Sequence, residues 1–260
     1  MTGILHDKVV VIAGVGPGLG RSIALRAAQA GADIILAART PSKLDAVARE
    51  VLALGRRAVT VPTDLTDADA VAHLVDRTVE ECGRVDALIN NAYTQPSMAN
   101  LVDTGYDHIR TGIELSVIGA LRTSQLFTQA LAESGGAIVM INSMVLRHSI
   151  PVYGTYKMAK SAMLAMSQSL ASEIGPKGVR VNSVAPGYIW ADAVKRHFRI
   201  VAAERGCSAD EVYAQTAARM DLRRLPEPGE IADAVVFLAS PMAAAITGQC
   251  LDVNCGEFHR

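Results

Sequence analysis

The sequence predicts an α/β fold: a doubly wound parallel sheet of about seven strands, helices on both faces, and a helical lid inserted near residues 191–222. Three observations predict it. Short apolar runs alternate with amphipathic stretches along the whole chain. Most of the runs are apolar at consecutive positions, as strands are when helices cover both sides of a parallel sheet. A glycine-rich segment, Gly14 to Gly20, falls directly between the first run and the first amphipathic stretch.

Taken in order, strands are expected over 8–13, 33–38, 58–61, 86–90, 137–142, 179–185 and 250–253. Helices are expected over 19–30, 42–54, 67–82, a long stretch at 106–132, then 153–174 and 228–239. Gly31, Gly55, Gly83 and Gly175 stand where helices should stop. Residues 191–222 interrupt the alternation after the sixth strand with mostly helical sequence. Ligands of open α/β sheets bind beyond the carboxyl ends of the strands, so this insertion is a candidate lid.

The chain has 260 residues, half of them hydrophobic, which suits a single domain over residues 1–260 with a large core. A net charge of −1 provides no bulk field for nucleic acid or an anionic membrane. No apolar run reaches the ~20 residues of a membrane span. The N-terminal apolar stretch is too short for a signal peptide and runs into the glycine segment. Cys82, Cys207, Cys250 and Cys255 form no CxxC pair, and the histidines lack metal-ligand spacing, so no metal site is expected. Four reduced thiols in a cytoplasmic protein are the expectation.

Chemistry enters at the glycine segment. A helix N-terminus with bare amides favours an anionic pyrophosphate, and glycine lets the backbone approach it. The spacing G-x-x-x-G-x-G holds at Gly14, Gly18 and Gly20, whereas G-x-G-x-x-G fails at Leu19. A phosphate-loop NTPase is excluded, because Arg21 stands in place of the lysine. The second strand ends at Arg39, which suits a ribose 2′-phosphate; Asp33 begins that strand and is poorly placed for a 2′-hydroxyl. Asp64 follows the third strand and could accept from an adenine amino group or cap the next helix. Asn90-Asn91-Ala92 ends the fourth strand and could line an adenosine pocket or simply turn the chain.

Ser143, Tyr156 and Lys160 complete the pattern, the last two as Tyr-x-x-x-Lys. One helical turn puts the ammonium on the same face as the phenol. A phenol has an unperturbed pKa of about 10, and a nearby cation should lower it. Reaching pH 7 would take roughly 4 kcal/mol of differential stabilisation.

With these residues in view, the chain resembles the short-chain dehydrogenase/reductase family over essentially its whole length. The glycine segment, Asn90-Asn91-Ala92, Ser143, Tyr156 with Lys160, Pro186-Gly187 and Thr247-Gly248-Gln249 occur in the family's order and spacing. The resemblance implies a Rossmann-type domain in which Tyr156 is the general acid/base, Ser143 holds the substrate oxygen, and Lys160 grips the nicotinamide ribose. It places Gly14, Gly18, Leu19 and Gly20 at the pyrophosphate, and Asp64, Leu65, Asn91 and Ala92 on the adenosine side. Ile189 would meet the carboxamide, and Arg39 favours NADP(H) over NAD(H). Ser116 aligns with the family's helix Asn, whose backbone carbonyl holds a water in the proton relay. The chain departs from the pattern at Ala13, Tyr93, Ala191 and Cys255. The resemblance also implies a homotetramer or dimer packed through the fifth and sixth helices.

The expected function is hydride transfer between a nicotinamide cofactor and a secondary alcohol or ketone. Met144, Val145, Leu146, Tyr188 and Trp190 suggest a hydrophobic small-molecule substrate. Tyr188 and Trp190 could stack on that substrate or pack beneath the insertion, and His148 could touch it or be solvated. Two alternatives stand beside this expectation. One is a non-catalytic dinucleotide-binding protein, a sensor or structural partner. The other is an enoyl-thioester reductase, because Tyr153 and Lys160 have that spacing.

Overall fold

The computed structural model describes residues 3–259; Met1, Thr2 and Arg260, which the expected 1–260 unit includes, lie outside the described residues. Seven parallel strands form one sheet in the order β3-β2-β1-β4-β5-β6-β7. They are β1 Val9–Ala13, β2 Asp33–Ala38, β3 Ala58–Pro62, β4 Ala87–Asn90, β5 Ala137–Ile141, β6 Arg180–Pro186 and β7 Cys250–Val253. The chain winds outward from β1 to β3 and then returns to β4 on the other side of β1. That reversal opens a crevice at the carboxyl ends of β1 and β4, where Ala13 is in register with both Ala37 and Asn90.

Consecutive apolar residues in β1 serve two layers. Val10 and Ile12 pack into one core, with helices α1 (Leu19–Gln29), α2 (Pro41–Ala53) and α9 (Pro228–Ala239). Val9, Val11 and Ala13 pack into the other, with α3 (Ala68–Cys82), α5 (Gly119–Ser134) and α6 (Gly154–Ile174). Each fully buried Val, Leu or Ile contributes about 1.5–3 kcal/mol, so both layers help hold the sheet to its helices.

The expected long helix at 106–132 is present, with a π-helical turn inside it. α4 (Tyr106–Ile113) ends in a π-helical turn, Glu114–Ile118, before α5 resumes. Asp64 does not cap α3: Asp67 does, accepting the amides of Asp69 at 2.9 Å and Ala70 at 3.2 Å. Asp64 instead accepts both the Thr66 amide, at 2.9 Å, and its hydroxyl, at 2.8 Å.

The insertion forms α7 (Asp192–Arg205) and α8 (Ala209–Ala217), the second started by a Ser208–Glu211 capping box. It has a small core of its own around Phe198, Val212, Met220 and Leu225. Trp190 packs into this core, its ring 4.6 Å from that of Tyr213. No helix among the described residues is long and apolar enough to cross a membrane.

Candidate active site

The glycine loop is a cradle built at the crevice. Gly14 has a φ of +107°, and a Cβ there would lie 2.4 Å from the Ala92 amide nitrogen. A Cβ on Gly20 would lie 2.7 Å from the Gly14 carbonyl oxygen, so glycine at 20 lets α1 start against the loop. At Gly16 and Gly18 a Cβ would meet nothing within 4 Å, so these two face open space. No side chain caps the first turn of α1, whose N-cap is Gly18. Bare amides beside open, methylene-only backbone fit a dinucleotide pyrophosphate. Leu19, second in the turn, is half-buried against the core.

The neighbouring residues surround the same crevice. The Asn91 side chain donates to the Gly14 carbonyl at 2.6 Å, so it braces the loop from β4. The Ala92 amide donates to the Ala13 carbonyl at 3.1 Å. Asn90 turns away from the crevice and binds Thr123 and Ser124 of α5 at 2.7 and 3.2 Å. Arg39 is exposed at the end of β2, and its charge, after the Thr66 hydrogen bonds, helps hold the Asp64 carboxyl below the usual range. Leu65 is buried, and its carbonyl accepts from Arg122 at 2.7 Å. Ile189 is half-buried past the end of β6.

Ser143, Tyr156 and Lys160 converge beyond β5. Ser143 leaves the strand in extended conformation, and its hydroxyl accepts the Val145 amide at 3.2 Å. That bond starts a 3-10 turn, Met144–Arg147, which aims the serine at α6. The Tyr156 phenol comes close enough to Ser143 for the serine hydroxyl to favour its ionised form. Lys160, one turn along α6, is fully buried; its Nζ donates to the Ile141 carbonyl at 2.6 Å and lies 5.6 Å from the Tyr156 ring centroid. Tyr93 packs edge-on to Tyr156, with ring centroids 6.1 Å apart.

Among the chain's own groups, the expected acidification of the phenol does not occur. Burial pushes the Tyr156 phenol well above its ordinary pKa, only partly opposed by the Ser143 hydrogen bond. Burial also lowers Lys160 to about 7. Losing water disfavours both charged forms, and the lysine's proton is engaged by a carbonyl rather than by the phenol. On the chain's own groups, this favours the neutral form of the Tyr156 phenol.

Ser116 is buried in the π turn, where its hydroxyl accepts the Thr94 amide at 3.3 Å. It lines a cavity of about 10 Å³ with Tyr156, Thr155 and His108. That is the scale of one water molecule. π turns rearrange the carbonyls of a helix and recur at functional sites. A second cavity of about 410 Å³ is lined by Leu101, Val145, Ile150, Tyr153 and Met158, beside Tyr156 rather than over it.

Some parts of the site carry no local sequence signal. Arg147, on the turn after Ser143, makes a bidentate pair with Asp252 of β7 through contacts of 2.7, 2.9 and 3.2 Å. Glu257, near the C-terminus, returns to within electrostatic reach of Tyr188. Both depend on contacts between distant segments. Burial, and then Tyr153, push the Tyr188 phenol up to about 12.

A sheet with this order, a glycine cradle at its switch point and a Ser-Tyr-Lys group beside it define a dinucleotide-binding oxidoreductase site. A family model described as enoyl-(acyl carrier protein) reductase matches residues 14–257. An uncharacterized oxidoreductase of Mycobacterium tuberculosis is 38% identical over 255 residues, covering 97% of this chain and 92% of the relative. Among solved structures, carveol dehydrogenase from Mycobacterium avium in complex with NAD has a TM-score of 0.90 and 30% identity, covering 98% of this chain and 99% of that one. L-Sorbose reductase from Gluconobacter frateurii, complexed with NADPH and L-sorbose, has a TM-score of 0.92 and 27% identity, covering 100% of this chain and 99% of that one. The chain belongs to the short-chain dehydrogenase/reductase family. It is a hydride-transfer oxidoreductase that uses a nicotinamide cofactor, which sets aside the non-catalytic alternative.

Proposed function

We propose that the chain interconverts a secondary alcohol and a ketone, with Tyr156 exchanging the proton at the substrate oxygen. The observation that carries this reading is the convergence of Ser143, Tyr156 and Lys160 beside the glycine cradle. Ser143 donates to the substrate oxygen and orients it toward the phenol. Tyr156, neutral through burial, gives its proton to that oxygen in reduction and recovers it in oxidation. Lys160 holds the nicotinamide ribose and passes the proton outward, past the small cavity at Ser116, whose backbone carbonyl orients a water. The bound nicotinamide supplies or accepts the hydride. General acid–base help of this kind is worth about 10²–10⁴ in rate.

Gly14, Gly18, Leu19 and Gly20 hold the pyrophosphate; Asp64, Leu65, Asn91 and Ala92 line the adenosine side; and Ile189 faces the carboxamide. Arg39 is exposed at the end of β2, where a 2′-phosphate would add a charge-assisted contact, so NADP(H) is the favoured cofactor. Carbonyl rather than enoyl reduction is supported by Ser143 standing beside Tyr156, where it bears on the phenol. The relatives named for carveol and L-sorbose act on alcohols or ketones of different polarity. Exposed Leu126 on α5 and Met158 on α6 suit a homo-oligomer packed through those helices, with light scattering as its check. The cytoplasm is the compartment that suits the cysteines, none of which is in a disulfide among the described residues.

The test is reduction of a ketone panel with NADPH deuterated at C4 of the nicotinamide. Deuterium on the carbinol carbon of the product is expected. Turnover of an enoyl thioester with none of the ketones would contradict the reading.

A further inference from the structure

Three segments close around the small cavity at Tyr156: the chain after β4, α4 with its π turn, and the start of α6. Hydrogen bonds tie these segments together. The Thr94 amide donates to the Ser116 hydroxyl at 3.3 Å, and the Ser97 amide donates to the Thr155 hydroxyl at 3.4 Å. Thr94, Ser116, Thr155 and Tyr156 all line the cavity. Half-buried His108 and exposed Gln95 line it too, so it adjoins the surface.

The wall of this cavity has hydrogen-bonding capacity left over. Thr94 Oγ1 is buried and has no hydrogen-bond partner among the described residues. The Ser116 hydroxyl accepts from the Thr94 amide, and a hydroxyl that accepts still has a proton to donate. Buried polar atoms without a protein partner are uncommon, and ordered water often completes them. A volume of about 10 Å³ suits a single water, which needs roughly two to four polar partners. Thr94 and Ser116 supply two, and the Thr94 amide already joins them.

We propose that Thr94 is a positioning residue: its hydroxyl and that of Ser116 hold a water at Tyr156, and this water returns the proton that the phenol gives up. This rests on the ketone–alcohol reading above and adds two side chains of this chain to the Ser116 carbonyl as holders of the water. In each reduction Tyr156 loses one proton to the substrate oxygen. The water passes one proton back toward the phenolate and takes one from solvent, so no charge accumulates. The first reduction draws on the proton already on Tyr156 and needs no relay. Every later one does. Thr94 therefore acts on the restoration of Tyr156 and not on hydride transfer.

The test separates the first turnover from the steady state. Thr94→Val removes the hydroxyl and keeps the branched shape, whereas Thr94→Ser keeps the hydroxyl. Enzyme preloaded with NADPH is mixed in stopped flow with a ketone that the wild type reduces. Thr94→Val should reduce the first equivalent at close to the wild-type rate, while kcat falls about two- to tenfold. The effect of D2O on kcat should grow, and that of deuterium at C4 of NADPH should shrink toward one. Thr94→Ser should restore kcat. NADPH affinity and melting temperature should stay near wild type in both variants. Should Thr94→Val fail to fold, Ser116→Ala, which removes the other hydroxyl, is read in the same way. An unchanged kcat overturns the proposal, and so does a first turnover slowed as much as kcat, the mark of a misplaced phenol. Ketone reduction stands in both cases. A wild type that turns over no ketone removes both readings.

Discussion

Truncating Asp252 to alanine would strand Arg147. The guanidinium meets the carboxylate through contacts of 2.7, 2.9 and 3.2 Å, and the arginine side chain is only 4% exposed. Its Nη1 is already buried without a hydrogen-bond partner. Removing one member of a buried pair leaves an uncompensated charge and costs about 3–5 kcal/mol. The comparison is Arg110–Asp107, whose side chains are 76% and 99% exposed and whose loss should cost about 0–1 kcal/mol. At roughly 2–4 °C per kcal/mol for a chain of this size, Asp252→Ala should melt about 6–20 °C below the wild type. Asp107→Ala should melt within a few degrees of it. Calorimetry and urea titration would read both. Replacing the pair together, Arg147→Met with Asp252→Leu, should recover much of the loss, because no charge is left buried. Because Arg147 ends the turn that begins at Ser143, Asp252→Ala should also lower kcat. An Asp252→Ala midpoint no lower than that of Asp107→Ala would refute the strut.

Three further outcomes follow from the geometry. Gly18→Ala should leave the melting temperature nearly unchanged but weaken dinucleotide binding, since its Cβ would enter open cradle; Gly20→Ala should also cost about 1–3 kcal/mol of stability, its Cβ lying 2.7 Å from a carbonyl oxygen. Titration calorimetry beside thermal melts separates the two effects. Burial lowers Lys160 to about 7 from 10.5, so between those values the unfolded chain binds more protons than the folded one. Stability should therefore rise as pH increases from about 7 toward 10, and Lys160→Met should lose that rise in urea midpoints taken across the range. Arg39→Ala should narrow the preference for NADPH over NADH; equal discrimination by both proteins would remove the role assigned to that arginine.

Most of the architecture was legible because it follows from local pattern. β2 and β7 fall at their expected bounds, and α9 does too, since an apolar run or an amphipathic period identifies each. The π turn at Glu114–Ile118 was not legible: the apolar spacing of 106–132 continues through it, and only tertiary packing against Thr94 and α6 marks where the helix loosens into π geometry. Asp64 was expected either to accept from adenine or to cap the next helix, and the hydrogen bonds give the cap to Asp67 instead. At the candidate site, Tyr156 and Lys160 were read as neighbours from their spacing. The direction of their pKa shifts was not, because it depends on burial rather than on separation. The Arg147–Asp252 pair and the packing of Phe258 on His148 join segments that no periodicity links.

Proton exchange at Tyr156 is tested most directly by Tyr156→Phe. The measurement is kcat for ketone reduction beside the NADPH dissociation constant, in the same preparation. The expected result is a rate lower by about 10²–10⁴ with nucleotide affinity close to wild type, since the ring still packs against Tyr93 while the hydroxyl is gone. A variant that reduces ketone at the wild-type rate would contradict the mechanism, whatever its affinity for the nucleotide.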